Sequence, residues 1–170
     1  MKPASFLLIK VNCNVQNAMC DLTQKKNDGI MWVIPVYGPC QIICYLEKST
    51  YPKLEQYVET LREESNFLEI DARRVKPIPE DASLKTFSTP SPDVAVLLIN
   101  VNYKVQRERE VTCRLREIDG VTFARAMWGP NDIIVVVEAK NPEEMRNLIC
   151  DKIKTIPAVA GNSTLYGYSK

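Results

Sequence analysis

The sequence predicts an α+β chain in which one βαββαβ unit is built twice. Three observations predict it: an internal duplication, the order of apolar and turn segments within each copy, and strands that are apolar on both faces. Residues 6–12 (FLLIKVN) return at 96–102 (VLLINVN) with five of seven positions identical. Val15 and Gln16 return as Val105 and Gln106 at the same offset of 90. Asp28, Gly29, Gly38 and Pro39 return as Asp119, Gly120, Gly129 and Pro130 at an offset of 91, which places one extra residue in the first helical segment of the second copy. A tandem repeat decides the fold, because each copy must satisfy the same local pattern.

In the first copy, residues 5–12 are a short apolar run suited to a buried strand. From Val15 to about Lys26, Val15, Met19 and Leu22 share one helical face. Asn27, Asp28 and Gly29 stop that helix, glycine being the usual residue at a left-handed helix end. The β-rich runs 30–37 and 41–47, separated by Gly38 and Pro39, read as a hairpin. Ser49 or Thr50 can cap a helix that starts near Pro52 and presents Leu54, Tyr57, Val58 and Leu61 on one side. A strand at 72–78 closes the copy. The second copy repeats the order with a strand at 94–102, a helix at 104–118 and a hairpin of 121–128 and 133–139. Asn141 then caps a helix through Ile153, and the last strand is 163–168. The order is the split βαβ, ferredoxin-like plan, twice. The domains are therefore residues 1–78 and 94–170, with 79–93 as a linker rich in proline and serine (Pro79, Pro90, Pro92, Ser83, Ser88, Ser91).

Strands with one wet face alternate apolar and polar residues. Residues 6–9, 30–36, 42–46, 94–99 and 133–137 are instead nearly continuous apolar runs, the signature of strands buried on both faces. Each copy supplies helices for one face only. The expectation is an intrachain pseudo-dimer, sheet against sheet, with the helices outside.

Composition narrows the function. The net charge is +1, with 22 basic and 21 acidic residues interspersed, so the footprint of a nucleic-acid binder is missing. No run is long enough for a signal peptide or a membrane span, and a cytoplasmic location is expected. The six cysteines form no CxxC pair and are expected as reduced, buried thiols; no metal site and no cofactor is expected. The sequence has no histidine, which removes the commonest general base. Trp32, aligned with Phe123, is expected in the core, and Tyr166 and Tyr168 on the barrel-interior face of the last strand. The mixed charges of 104–116 read as a solvated helix face. Of Arg73 and Arg74, whichever faces inward needs a carboxylate partner or lines a polar cavity for an anion.

The strand, the helix ending in Ile-Asp-Gly-Val, the Gly-x-x-Asp turn, the Val-rich strand and the helix starting at Pro-Glu-Glu resemble the effector-binding (RAM) domain of the leucine-responsive Lrp/AsnC regulators. The second copy fits best, through EIDGVTFARAMWGPNDIIVVVEAKNPEEMRNLICDKIKTIPAV. The resemblance implies a dimeric α/β barrel of paired sheets. It also implies a small-molecule effector, typically an amino acid, held near the turn between the second and third strands. Carried onto this sequence, those residues are Trp128, Gly129, Pro130, Asn131 and Asp132, with Gly38 and Gln41 in the first copy. Asp132 would pair with an α-ammonium group and Trp128 would wall the site, whereas Gln41 supplies no charge. A Gly-Pro hairpin turn holding no ligand fits the same residues. Only residues 1–5 precede the first strand, so the family's helix-turn-helix is not expected, nor is direct nucleic-acid or membrane binding.

The resulting expectation is a non-catalytic amino-acid-sensing and oligomerisation module of a transcription-regulator family. It would form homo-oligomers or assemble with a helix-turn-helix regulator, and it would have no catalytic residues. The alternatives are a small enzyme of the dimeric α/β-barrel class, or a ligand-free structural partner of a DNA-binding paralogue.

Overall fold

A computed structural model describes residues 4–12, 14–24, 29–47, 54–64, 66–76 and 93–168. The chain divides into two compact units, Met1–Val75 and Lys76–Lys170. The expected helix stop at Asn27 and Asp28, the caps Ser49 and Thr50, Pro52, Cys13 and the linker residues 79–92 lie outside the described residues.

The first unit runs β1 (Ala4–Val11), α1 (Val15–Gln24), β2 (Ile30–Pro35), β3 (Ile42–Glu47), α2 (Leu54–Arg62) and β4 (Phe67–Arg74). The second runs β5 (Asp93–Val101), α3 (Glu108–Arg116), β6 (Val121–Ala126), β7 (Ile133–Ala139), α4 (Pro142–Asn147) and β8 (Val159–Tyr166), with a π-helical turn at Leu148–Ile153 continuing α4. The sheets are antiparallel, in the orders β2-β3-β1-β4 and β6-β7-β5-β8. Both units are thus ferredoxin-like βαββαβ repeats, with β1 and β5 central and paired on both sides.

The duplication extends to backbone detail. The first β-hairpin of each unit carries a bulge at the same place, between Ile30 and Trp32 and between Val121 and Phe123. The central strands carry another, between Lys10 and Val11 and between Asn100 and Val101. Gly29 (φ 100°) and Gly120 (φ 94°) occupy matching left-handed positions before that hairpin. A Cβ on Gly120 would also sit 2.7 Å from Leu148 Cδ2 and 3.1 Å from the Glu138 carbonyl oxygen, so the conformation favours glycine and a side chain there would crowd both neighbours.

Helices pack on one face of each sheet. In the first unit Leu7, Ile9, Ile42, Cys44 and Leu46 meet Ala18, Leu22, Tyr57, Val58 and Leu61. In the second, Leu97, Ile99, Val135 and Val137 meet Val111, Leu115, Met145, Leu148, Ile149 and Ile153. Burying one such Leu, Ile or Val side chain contributes about 1.5–3 kcal/mol. The opposite face is buried as well: Phe6, Ile43, Val96 and Val136 are all within 2% of complete burial. The two-sided burial read from the apolar runs is therefore present.

Four boundaries or placements differ from expectation. The last strands begin earlier, at Phe67 and Val159, because they are sheet edges whose polar residues (Glu69, Asp71, Asn162, Ser163) hide them from an apolar-run criterion, while pairing with a long central strand extends them. The helix expected from Lys104 begins at Glu108, and Val105 is exposed in the preceding turn. Tyr166 is half exposed opposite Ala95 on the helix side of the sheet, and Leu165 takes the buried position instead. Cys20, Cys113 and Cys150 are exposed, so among the described residues only Cys40 and Cys44 behave as the buried thiols expected.

The π-helical turn has a sequence cause. The buried positions of α2 are Leu54, Tyr57, Val58 and Leu61, where Leu54 is the partly buried first member of the face. Their counterparts are Met145, Leu148, Ile149 and Ile153, so the last step is one residue longer in the second copy. An inserted residue in a regular helix would rotate everything after it by about 100°. The insertion is instead absorbed as a wider turn, closed by Lys154 N–H donating to the Ile149 carbonyl at 2.9 Å, which returns Ile153 to the core.

Two outcomes follow. Deleting Asp151 restores the α2 spacing, and urea unfolding of that variant is expected to differ from wild type by less than about 1 kcal/mol; deleting Glu59 from regular α2 turns Leu61 out of the core and is expected to cost about 2–5 kcal/mol. Burial pushes the Cys44 thiol up to about 12 from its ordinary 9.0. The unfolded thiol therefore ionises first as pH rises, so this contribution to stability is intact below about pH 9 and is lost between the two values. Alkylation of native protein at pH 8, read by peptide mass mapping, is expected to modify Cys113 and Cys150 and to spare Cys44.

Candidate functional site

The turn between β6 and β7 is built by backbone first. Met127 N–H donates to the Asp132 carbonyl at 2.9 Å, and Asp132 N–H donates to the Ile99 carbonyl at 2.9 Å. Gly129 (φ 144°) allows the reversal. The β5 bulge aims the Val101 N–H at this turn, where it donates to Asp132 Oδ2 at 2.8 Å. The first copy repeats each bond: Val36 N–H to the Gln41 carbonyl at 2.9 Å, Gln41 N–H to the Ile9 carbonyl at 3.0 Å, and Val11 N–H to Gln41 Oε1 at 3.1 Å. Asp132 and Gln41 therefore do one job: each side-chain oxygen satisfies the N–H released by a bulge in the central strand. Their difference in charge leaves that job untouched.

What distinguishes the second copy is the group around Asp132. The Tyr103 hydroxyl lies 2.6 Å from Asp132 Oδ1 and 2.9 Å from Glu108 Oε2. Burial, followed by the hydrogen bonds to Asp132 and Glu108, drives the phenol well above its ordinary pKa, which keeps it a proton donor. Lys76 Nζ contacts both Glu108 oxygens, at 2.6 and 2.9 Å, with the two side chains about four-fifths buried (18% and 21% exposed). The same ammonium stands 4.3 Å above the Trp128 ring. Lys76 N–H also donates to the Ala126 carbonyl at 3.0 Å. Asn131 Nδ2 donates to Asn100 Oδ1 at 2.9 Å. Of the residues expected here, Asp132, Asn131 and Trp128 have their polar or aromatic groups in contact with other side chains of the unit. Trp128 and its counterpart Tyr37 stay largely exposed. Lys76, Tyr103 and Glu108 were not singled out from sequence; Lys76 lies before β5, Tyr103 ahead of α3 and Glu108 at its first position, and no spacing rule joins them to the turn.

A second arrangement lies in the first unit, on the sheet face away from the helices. Register places Trp32 opposite Tyr45, Tyr45 opposite Phe6, and Phe6 opposite Arg73, a single row across four strands. Ring centroids are 5.0 Å apart for Phe6 and Tyr45, 5.7 Å for Trp32 and Tyr45, and 5.9 Å for Phe6 and Trp32. Arg73 is only 8% exposed, and its Nε and Nη2 donate to Asp71 Oδ2 at 3.0 and 2.8 Å. Arg73 is thus the inward member of its pair, while Arg74 is outward and pairs with Glu55. The matching row of the second unit is Phe123, Val136, Val96 and Leu165, and its buried arginine, Arg125, sits in the next row opposite Ile134. The Arg125 guanidinium is 6.0 Å from the Phe123 ring. Alternation from Phe6 and Tyr45 could have revealed the aromatic row, had the strand register been known.

Among the described residues, no helix is long and apolar enough to cross a membrane. Residues 94–166 match the family model described as the Lrp/AsnC ligand binding domain. No curated protein matches the chain in sequence. A Pyrococcus horikoshii protein of known structure is 27% identical over 46% of this chain and 92% of its own, at a TM-score of 0.43. Likeness over the whole tandem is to other proteins. The siroheme decarboxylase NirDL matches 99% of this chain and 72% of its own at a TM-score of 0.72 and 10% identity. Its complex with an iron-uroporphyrin III analogue gives 0.69 at 12% identity. A chlorite dismutase candidate matches 99% of this chain and 94% of its own at 0.60 and 10% identity. These identities establish a shared fold. They overturn the expectation of a non-catalytic protein, because the full-length arrangement is one that enzymes use, and the missing histidine had weighed only against histidine-based chemistry. The family match lies within the second repeat and agrees with the turn and helix start from which the resemblance was read: residues 94–166 are similar to the Lrp/AsnC ligand binding domain.

Proposed function

We propose that this chain is a small enzyme of the dimeric α/β-barrel class whose substrate is a planar, polycarboxylated ring system of the tetrapyrrole kind. The observation that carries the reading is the row Trp32, Tyr45, Phe6 and Arg73. Three rings side by side are the groups that stack on a flat ligand, and an arginine beside them is the group that holds a carboxylate. All four are under 9% exposed, so a ligand meets them only by entering the protein and displacing what covers them. Asp71 already accepts from the Arg73 Nε and Nη2, so a ligand carboxylate would share the guanidinium with it. The whole-chain likeness to a siroheme decarboxylase and to its complex with an iron-uroporphyrin III analogue supports the ligand class.

The reaction that fits is decarboxylation. The bond between a side-chain carbon and its carboxylate breaks, carbon dioxide leaves, and a proton takes its place on the carbon, with no oxidant consumed. In a chain without histidine the proton must come from another group. Tyr45, beside Phe6 in the same row, is the residue we assign to that role.

A second reading is favoured by the family match at 94–166. In it the second repeat is a regulatory ligand-binding module that takes an amino acid at Trp128, Gly129, Pro130, Asn131 and Asp132, with Gly38 and Gln41 as the weaker counterpart, and assembles with its own copies or with a helix-turn-helix regulator. Asp132 there would serve both Val101 and the ligand.

Absorbance titration with iron-uroporphyrin III is expected to give a saturable shift of the main band. Arg73→Met should weaken it about 10- to 100-fold, the effect of one charge-assisted hydrogen-bond pair. Mass analysis of incubated ligand is expected to show loss of carbon dioxide with wild type and none with Tyr45→Phe. A folded wild-type protein that binds no tetrapyrrole overturns the reading. For the alternative, a thermal-shift screen with the protein amino acids should show one that stabilises wild type and fails to stabilise Asp132→Ala.

A further inference from the structure

The second-copy turn, taken as a receptor for ammonium, already holds one. An aromatic face with a carboxylate beside it is the recurring chemistry of primary ammonium recognition. Trp128 supplies the face, at 4.3 Å, and Glu108 supplies the carboxylate, at 2.6 and 2.9 Å. The Tyr103 hydroxyl braces that carboxylate at 2.9 Å and ties it to Asp132 at 2.6 Å. The group filling the position is the Nζ of Lys76, a residue of the same unit held there by its own backbone bond to Ala126. The geometry points to a primary-ammonium site, formed by Trp128, Glu108 and Tyr103, that the chain occupies in cis with Lys76.

The consequence is a specificity device. A tethered ammonium acts at an effective concentration on the order of mM or higher, so a free amine must compete against it. Asp132, the residue expected to take a ligand's ammonium, is meanwhile engaged by Val101 N–H and the Tyr103 hydroxyl. In the resting protein the site therefore rejects free primary amines, and a ligand enters only by displacing the lysine side chain. Removing that side chain exposes an indole face and a carboxylate from which an ammonium has been taken away. This inference is independent of the enzymatic reading, which concerns the first unit.

The test is chemical rescue. Wild type, Lys76→Ala and Lys76→Met are titrated with n-propylammonium by calorimetry, and their thermal melting is followed with and without it. The expected result is binding to Lys76→Ala at least about tenfold tighter than to wild type, together with recovery of part of the melting temperature lost on substitution. The double variant Lys76→Ala with Glu108→Gln is expected to lose both effects. Glycine in place of n-propylammonium separates a bare ammonium site from an amino-acid site: equal rescue by glycine at the same concentration means that the carboxylate is tolerated, and the ammonium assignment holds in either case. Lys76→Met keeps the apolar stem packed, so a folded variant without the charge is available should Lys76→Ala unfold. The proposal is overturned if neither variant binds n-propylammonium more tightly than wild type.

Discussion

Each repeat depends on its first strand. β1 and β5 are hydrogen-bonded on both sides and apolar on both faces, so their backbone groups have to be satisfied within the protein. The bulge near the end of each strand releases one N–H from the ladder, at Val11 and at Val101. A side-chain oxygen on the neighbouring hairpin turn takes it up, from Gln41 in one copy and Asp132 in the other. Through this one bond the central strand, the bulge and the turn constrain each other. It explains why both copies keep a side-chain acceptor there while the residue type changes. The acidic residue that marks the turn in the second copy is first a structural part, engaged by Val101 and Tyr103.

The two copies have diverged in what they decorate around that common frame. The first places aromatic rings and an arginine on the sheet face away from its helices. The second keeps that row nearly all aliphatic and gathers its charged groups at the turn instead, where Lys76, Glu108, Tyr103 and Asp132 form one connected set. The two repeats thus gather their distinctive side chains at different places.

Much of the fold was legible from local patterns. Gly29, Gly38, Gly120 and Gly129 all lie at positive φ, where the repeated turns required them, and Asn141 caps its helix by accepting the Glu144 N–H at 2.8 Å. Edge strands were the least legible elements, since Glu69, Asp71, Asn162 and Ser163 gain their strand conformation from pairing with a neighbour and carry no apolar run of their own. Helix phase was equally hidden. The extra residue between Ile149 and Ile153 leaves no mark until the core requires Ile153 to point inward. The candidate sites were legible only in part: Arg73 stood out as a charge inside a strand, but Tyr45 and Phe6 looked like any other residues of an apolar run.

By itself the sequence determined that one βαββαβ unit is present twice, where its turns fall, and which strands are apolar on both faces. Those properties follow from neighbouring residues and from periodicities of 2 and 3.6, which a chain carries before it folds. Tertiary structure decided the rest. Register aligned Trp32, Tyr45, Phe6 and Arg73 from four separate strands, and packing brought Lys76 onto Trp128 and Glu108. Contacts between residues far apart in sequence have no local period, so they exist only once the sheet order and strand register have been set.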